Sequence, residues 1–341
     1  MKTKEVERAR ESNGGKICVF DLMRALACIG IVVHHFLYHP TRAGIFIYSG
    51  IPMEIFFFVS GFLIPMSLEN CNIKQFLIKR FFRLIPVLWL AVLIHCVVLC
   101  IFNLDSIVSN LFLIGDLVKK HEFVRTSWSL KVEIKFYLIC ALSFFLFKDN
   151  RKRFYCMLFL YLSLCTFAYC FEYTAVHDFI KLRYVIQLTS GCFIASAYYF
   201  YTKKYISKKE FIISSLILFA MLLFQKNFTT FRLNTNSIHY CCGYLISLFL
   251  CIKCKNLGNN VVIKYIANIS YSLYLFHMLF MDLSFRFVDG LMPDFLRHSV
   301  AYMFFYELII LIPCACMCHF IYKYIEKPAY DFGRKLALRL K

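Results

Sequence analysis

Long apolar runs separated by short polar stretches recur along the whole chain. Each run holds about 18 to 25 residues, enough to cross a hydrocarbon core of about 30 Å at about 1.5 Å of rise per helical residue. About ten spans are predicted, over residues 17–38, 50–68, 82–103, 128–147, 154–172, 180–201, 210–225, 237–252, 261–285 and 299–322. Every backbone amide in lipid must be satisfied within its own segment, and the short alternating pattern of a membrane β-barrel is absent, so the runs predict helices. The expected fold is all-α: a polytopic membrane helix bundle over residues 17–325, between a basic N-terminal tail (1–16) and a C-terminal tail (326–341). No stretch between the runs is long enough for a separate soluble domain.

Composition agrees with the pattern. The 341 residues are 60% hydrophobic, and the mean hydropathy is +0.65, outside the usual range of soluble globular proteins. A formal charge of +19 could suggest a nucleic-acid partner, but its placement decides otherwise. The positive residues concentrate in alternate segments: around Lys2 to Lys16, Lys74 to Arg83, Lys148 to Arg153, Lys203 to Lys209, Lys253 to Lys264, and Lys323 to Lys341. The intervening loops carry far fewer, such as Arg42, Arg125 and Arg232. That asymmetry predicts that both termini face the cytoplasm and that the span count is even. The first span follows a basic tail and lacks a small-residue cleavage site, so it reads as a retained helix. Attraction to anionic membrane lipid is a secondary consequence, and no nucleic-acid partner is expected.

Cysteine is frequent, at 17 copies, but most sit within apolar spans, where a thiol behaves as a small hydrophobe. Cys314, Cys316, Cys318 and His319 are close in sequence, yet in a helix they spread around the axis and cannot all converge on a metal. No metal is expected.

The first span carries the most informative polar residues. It reads FDLMRALACIGIVVHHF over residues 20–36. At about 100° per residue, Asp21, Arg24 and His35 fall within about 60° of one another, whereas His34 lies about 140° from Asp21. Arg24 and His35 are separated along the axis by about 16 Å. Asp21 and Arg24 are expected near the cytoplasmic boundary and His35 deeper, toward the outer half. An ionisable group at such depth costs about 2.5 kcal/mol or more unless it faces a protein-lined cavity. A plain alternative is an Asp21–Arg24 pair that anchors the helix, with His35 bonded to a carbonyl.

Other segments add candidates. Glu54 precedes a mid-helix Ser60-Gly61, a pair that reads as close helix packing in preference to a nucleophilic Ser, since no G-x-S-x-G elbow surrounds it. Arg80 and Arg83 are spaced i,i+3 at the cytoplasmic mouth of the third span, so they can fork onto phosphate oxygens together with Arg24. In TSWSLKVEIKFY, residues 126–137, Lys131, Glu133 and Lys135 cannot all face one way, and Glu133 is the one expected to point inward. Its alternative is an ion pair with another helix. Tyr271, Tyr274 and His277 form a stripe at i,i+3 spacing on the ninth span. The segment YIEKPAY, residues 324–330, is expected to end the last helix at Pro328, with its charges on the cytoplasmic rim.

Taken in order, these segments resemble the acyltransferase 3 family of integral membrane acyltransferases. The resemblance runs from Phe20-Asp21-Leu22-Met23-Arg24-Ala25 and His35, through Ile55-Phe56-Phe57 and Ser60-Gly61-Phe62, Arg80, Arg83 and Pro86. It continues with Trp128-Ser129-Leu130, Glu133 and Phe136-Tyr137, then Ile269-Ser270-Tyr271, Tyr274, His277 and Glu326-Lys327-Pro328. The family often has Asp where Glu54 stands and small polar residues where Lys131 and Lys135 stand. The chain stops soon after the tenth span, without the hydrolase-like domain that some relatives carry, so the membrane unit or a partner is expected to complete any transfer.

The resemblance implies an acyl donor that is usually acetyl-CoA, used as a substrate with no bound cofactor. It implies a carbohydrate acceptor, such as a surface polysaccharide or its lipid-linked precursor, and a multi-pass protein of the cell membrane, a bacterial cytoplasmic membrane. Arg24, Arg80 and Arg83 would hold CoA phosphates. His35 would act as general base or be transiently acylated, with Glu133 orienting it or the acceptor. Asp21 would orient Arg24, and Glu54, Ser60, Trp128, Tyr271, Tyr274 and His277 would line the cavity. Competing readings are a glycolipid transporter or flippase without bond chemistry, and an acyltransferase with another acyl-CoA or a non-sugar acceptor. No internal repeat of the kind transporters show is evident.

Overall fold

The computed structural model describes residues 18–35, 50–118, 122–170, 182–224, 235–254, 257–287 and 300–340. Among them every regular element is helical. We number the helices α1 (Cys18–His35), α2 (Gly50–Glu69), α3 (Ile73–Val98), α4 (Leu104–Leu111), α5 (Gly115–Val118), α6 (Ser127–Leu146) and α7 (Asn150–Cys170). They continue with α8 (Leu182–Thr202), α9 (Lys208–Phe224), α10 (Thr235–Lys253), α11 (Val261–Phe287), α12 (Val300–Ile321) and α13 (Lys327–Arg339). A π-helical turn, Tyr322–Glu326, joins the last two.

Four described stretches are long and apolar enough to cross a membrane: Cys18–His35, Gly50–Glu69, Ile73–Val98 and Ile309–Arg339. Large apolar side chains stand exposed on several helices, among them Val97, Phe145 and Leu216. In water such a coat would be a liability, whereas in a multi-pass membrane protein it meets lipid.

α2 is the hub. One side packs against α8 and α10, and the closest approach is at Gly61, where an added Cβ would run into the backbone of Cys192. The two helices are also stitched by Ser196 Oγ, which donates to the Gly61 carbonyl at 2.8 Å. The small-residue packing expected at Ser60-Gly61 is therefore realised by the glycine. The serine faces elsewhere.

Two boundaries differ from the sequence expectation. Hydropathy predicts the third span at 82–103, but α3 begins at Ile73, nine residues earlier, and ends at Val98. Asn72 starts it with a capping box: its side chain accepts the Gln75 N–H at 2.8 Å, and the Gln75 side chain accepts the Asn72 N–H at 3.2 Å. The charged residues from Lys74 to Arg83 thus belong to the helix, which stands as one rod from its polar foot into its apolar body.

The second difference is at the C-terminal end. The last helix does not stop at Pro328. The π-turn carries it onward, and Pro328 lies in the first turn of α13, where its missing N–H costs no internal bond. α13 then packs along α3, with the Phe82 and Phe332 rings 5.1 Å apart. The Gln75 side chain donates to the Leu340 carbonyl at 3.4 Å.

Candidate active site

The residues singled out on α1, α3, α6 and α11 come together along one polar path. At one end Arg24 pairs with Asp21 at 3.7 Å, both about one-fifth exposed. Arg24 also lies within Coulombic reach of Arg83, Arg80 and Glu133. The three arginines read from two separate segments therefore share one place. The Arg80 guanidinium lies over the rings of Phe76 and Tyr137, at 5.4 and 5.3 Å, which holds it by cation–π attraction.

The carboxylates at this end are bonded mainly by hydroxyls. Glu133 Oε1 accepts from Ser60 Oγ at 2.9 Å and from the Tyr137 hydroxyl at 2.5 Å. Tyr137 follows Glu133 by one helical turn, which is why the two meet. Glu326 Oε2 accepts from Ser272 Oγ at 2.6 Å, and Glu326 too lies within Coulombic reach of Arg83 and Arg24. Among the described residues Arg80 and Arg83 make no ion pair. Their N–H forks are available to an anion.

The other end of α1 carries the histidines. The rings of His35 and His277 lie 5.2 Å apart, and the His34 ring meets His35 edge-on at 5.2 Å. His277 is fully buried. Its Nδ1 is 2.8 Å from the Tyr274 carbonyl and 3.2 Å from that of Leu273. Carbonyls only accept, so Nδ1 carries the proton. His277 Nε2 has no hydrogen-bond partner among the described residues, and a buried N–H there would be costly, so Nε2 presents a lone pair.

The stripe expected on the ninth span is a ladder along α11 that reaches a different helix at each rung. The Tyr271 hydroxyl donates to the Leu84 carbonyl of α3 at 2.8 Å, in the residue after Arg83. The Tyr274 hydroxyl donates to Ser129 Oγ of α6 at 2.8 Å, and its ring stacks on Phe56 of α2 at 6.0 Å. His277 meets α1. One helix thus fixes both the arginine end and the histidine end.

Not every candidate joins this path. Glu54 is fully buried on the packing side of α2, against Gly191 and Gly243 and beside the Tyr244 ring. It lies six residues before Ser60, about 120° away around the helix, which sends it toward α8 and α10. Trp128 packs against the apolar core at the start of α6. Glu133 does point inward, but Lys131 is buried as well, because Glu122 pairs with it. Cys314 and Cys318 are buried while Cys316 is exposed. Among the described residues no group of three His, Cys, Asp or Glu side chains is placed to hold a metal.

Two participants escaped the sequence reading. The sequence places Glu326 as a rim charge, yet it sits under Ser272 near the arginines; its position depends on the π-turn, which leaves no signature in composition. Tyr137 bonds Glu133, and its i,i+4 spacing from that residue is the signal the sequence offers.

Residues 19–321 match the acyltransferase domain of the acyltransferase 3 family, and the chain belongs to that family. Among curated proteins, the peptidoglycan O-acetyltransferase OatA of Listeria monocytogenes serovar 1/2a is 29% identical over 148 residues, covering 35% of this chain and 22% of the relative. The chain therefore aligns with about a fifth of that protein's length. No solved structure matches the chain.

Proposed function

We propose that the protein moves an acetyl group from acetyl-CoA on the cytoplasmic side to a hydroxyl of a cell-surface polysaccharide or its lipid-linked precursor. On this reading it is a bundle of about ten spans in a bacterial cytoplasmic membrane, with both termini inside. The observation that carries the proposal is the division of α1: Arg24 stands in a group of three arginines, and His35, on the same face about 16 Å farther along, stands against a second histidine. The phosphates of a CoA and its thioester are joined by a long, flexible pantetheine arm. The arginines suit the phosphates, and the arm reaches toward the histidines.

In the transfer step the acceptor hydroxyl attacks the thioester carbonyl while His35 removes its proton. The C–O bond forms, the C–S bond breaks, and the CoA thiolate leaves and takes up the proton from the imidazolium. General base catalysis of this kind contributes about 10²- to 10⁴-fold. His277 supports it: a lone pair beside His35 can receive an N–H of the charged ring, which stabilises the imidazolium as it forms. Glu133 is held by Ser60 and Tyr137 and offsets the guanidinium charge in the absence of donor. The neighbouring lone pair favours the base role of His35 over a transient acyl-histidine. The relative's peptidoglycan acceptor supports a polysaccharide acceptor here.

The test uses reconstituted membranes with labelled acetyl-CoA and a lipid-linked glycan, comparing the native protein with His35→Ala and His34→Ala. His35→Ala is expected to lose about 10²-fold or more in transfer, and His34→Ala to keep most of it. If His34→Ala abolishes transfer while His35→Ala does not, the assignment fails.

A further inference from the structure

On the face of the bundle that carries the basic loops, the start of α7, the end of α8, the 203–207 connection and the start of α9 border an open cleft of about 880 Å³. Arg151, Lys204, Lys208 and Lys209 line it together with Tyr201 and Tyr205. We infer that this cleft binds the phosphate headgroup of an anionic membrane lipid, whose acyl chains lie along α9.

The charge balance of the cleft comes first. Its carboxylate, Glu210, is fully engaged. Oε1 accepts from Arg151 Nε at 2.9 Å and from its terminal nitrogen at 2.6 Å, and also from the Tyr155 hydroxyl. Oε2 accepts the Ser207 N–H at 2.7 Å, while Ser207 Oγ accepts the Glu210 N–H at 3.2 Å. This capping box closes the start of α9, so the helix terminus itself is not the binding group. Lys204, Lys208 and Lys209 are exposed and make no ion pair among the described residues. Lys204 also has φ of 60°, the left-handed region usually given to glycine, so a cation occupies a position that backbone preference alone would not give to lysine.

The second, independent observation is what lies beneath the lysines. Ile212 and Leu216 follow Lys208 at one-turn intervals, and Ile213 and Ile217 follow Lys209 in the same way. All four apolar side chains are exposed, at 43%, 63%, 47% and 40%. The cations therefore cap an uncovered apolar stripe. A free phosphate would use only the cleft, whereas a phospholipid uses the cleft and the stripe together. Lysines that merely snorkel to a membrane boundary need no cavity and no bonded arginine at its wall.

This inference is independent of the proposed acyl transfer. The purified protein, exchanged from detergent with phosphatidylglycerol or phosphatidylcholine, is examined by native mass spectrometry. Retention of one phosphatidylglycerol per chain is expected, reduced about a hundredfold in Lys204→Gln/Lys208→Gln/Lys209→Gln, since each lysine near an anionic surface contributes about 1 kcal/mol. Lys148→Gln/Lys152→Gln/Lys253→Gln, which removes equal charge from exposed positions outside the cleft, should retain it. Lys208→Arg/Lys209→Arg should also retain it, which separates loss of the site from misfolding. Equal loss in the control variant, retention of phosphatidylcholine in equal measure, or displacement of the lipid by millimolar inorganic phosphate would each overturn the assignment.

Discussion

The arginine end of the site and the charged groups beside the start of α6 hold similar residue types and use them in opposite ways. Beside α6 the carboxylates are taken by cations, Glu122 by Lys131 and Asp282 by Arg125. At the arginine end Arg24 pairs with Asp21, but the carboxylates of Glu133 and Glu326 are bonded by the hydroxyls of Ser60, Tyr137 and Ser272. A hydroxyl satisfies a carboxylate without consuming a guanidinium. The first region is closed by ion pairs, and the second leaves Arg80 and Arg83 without an ion pair among the described residues, as the proposed donor site requires.

The largest expected effect tests the closed region. Lys131→Met should lower the stability of the detergent-solubilised protein by about 3 kcal/mol, because it leaves the Glu122 carboxylate partly buried without its cation. Adding Glu122→Gln should restore much of that loss; if the pair of changes is as costly as the single one, packing of the Lys131 stem is responsible instead. Next comes the open region: Arg83→Gln should raise the KM for the acyl donor, with a loss of about 2 kcal/mol in kcat/KM and little change in unfolding temperature. A matching fall in thermal stability would mean that Arg83 is structural.

Ser60→Ala removes one of the two hydroxyls on Glu133. About 1 kcal/mol is expected, read as a several-fold fall in turnover, and Ser60→Thr should recover part of it. The smallest effect is reserved for Asp282→Asn. Its partner Arg125 is 45% exposed, and such pairs contribute less than about 1 kcal/mol. Donor KM should not move. If Asp282→Asn alters donor binding more than Arg83→Gln does, the distinction between closed and open regions collapses.

Much of this was legible in the sequence where periodicity carries the information. The face shared by Asp21, Arg24 and His35 follows from helical geometry alone, and so does the i,i+3 order of Tyr271, Tyr274 and His277. Glu54 shows the limit. Its polarity marked it as a cavity residue, but which neighbouring helix covers each face of α2 is a tertiary matter, and α8 and α10 cover that one. The start of α3 was missed for a different reason. A hydropathy pattern begins where charges end, whereas the backbone begins at a cap, and Asn72 with Gln75 supplies one ten residues before the apolar run. Glu326 required knowledge of a π-turn, a single extra residue per turn that no spacing rule reveals.

The contact at Gly61 has a consequence for tolerance. In a machined assembly every dimension is referred to a datum face that admits no shim, and the backbone of Cys192 against Gly61 is such a face. Ser60, the adjacent residue, sets the position of Glu133 from the other side of the same helix. A methyl group added at 61 would displace that reference, and the error would be read at the carboxylate, on a helix the methyl never touches.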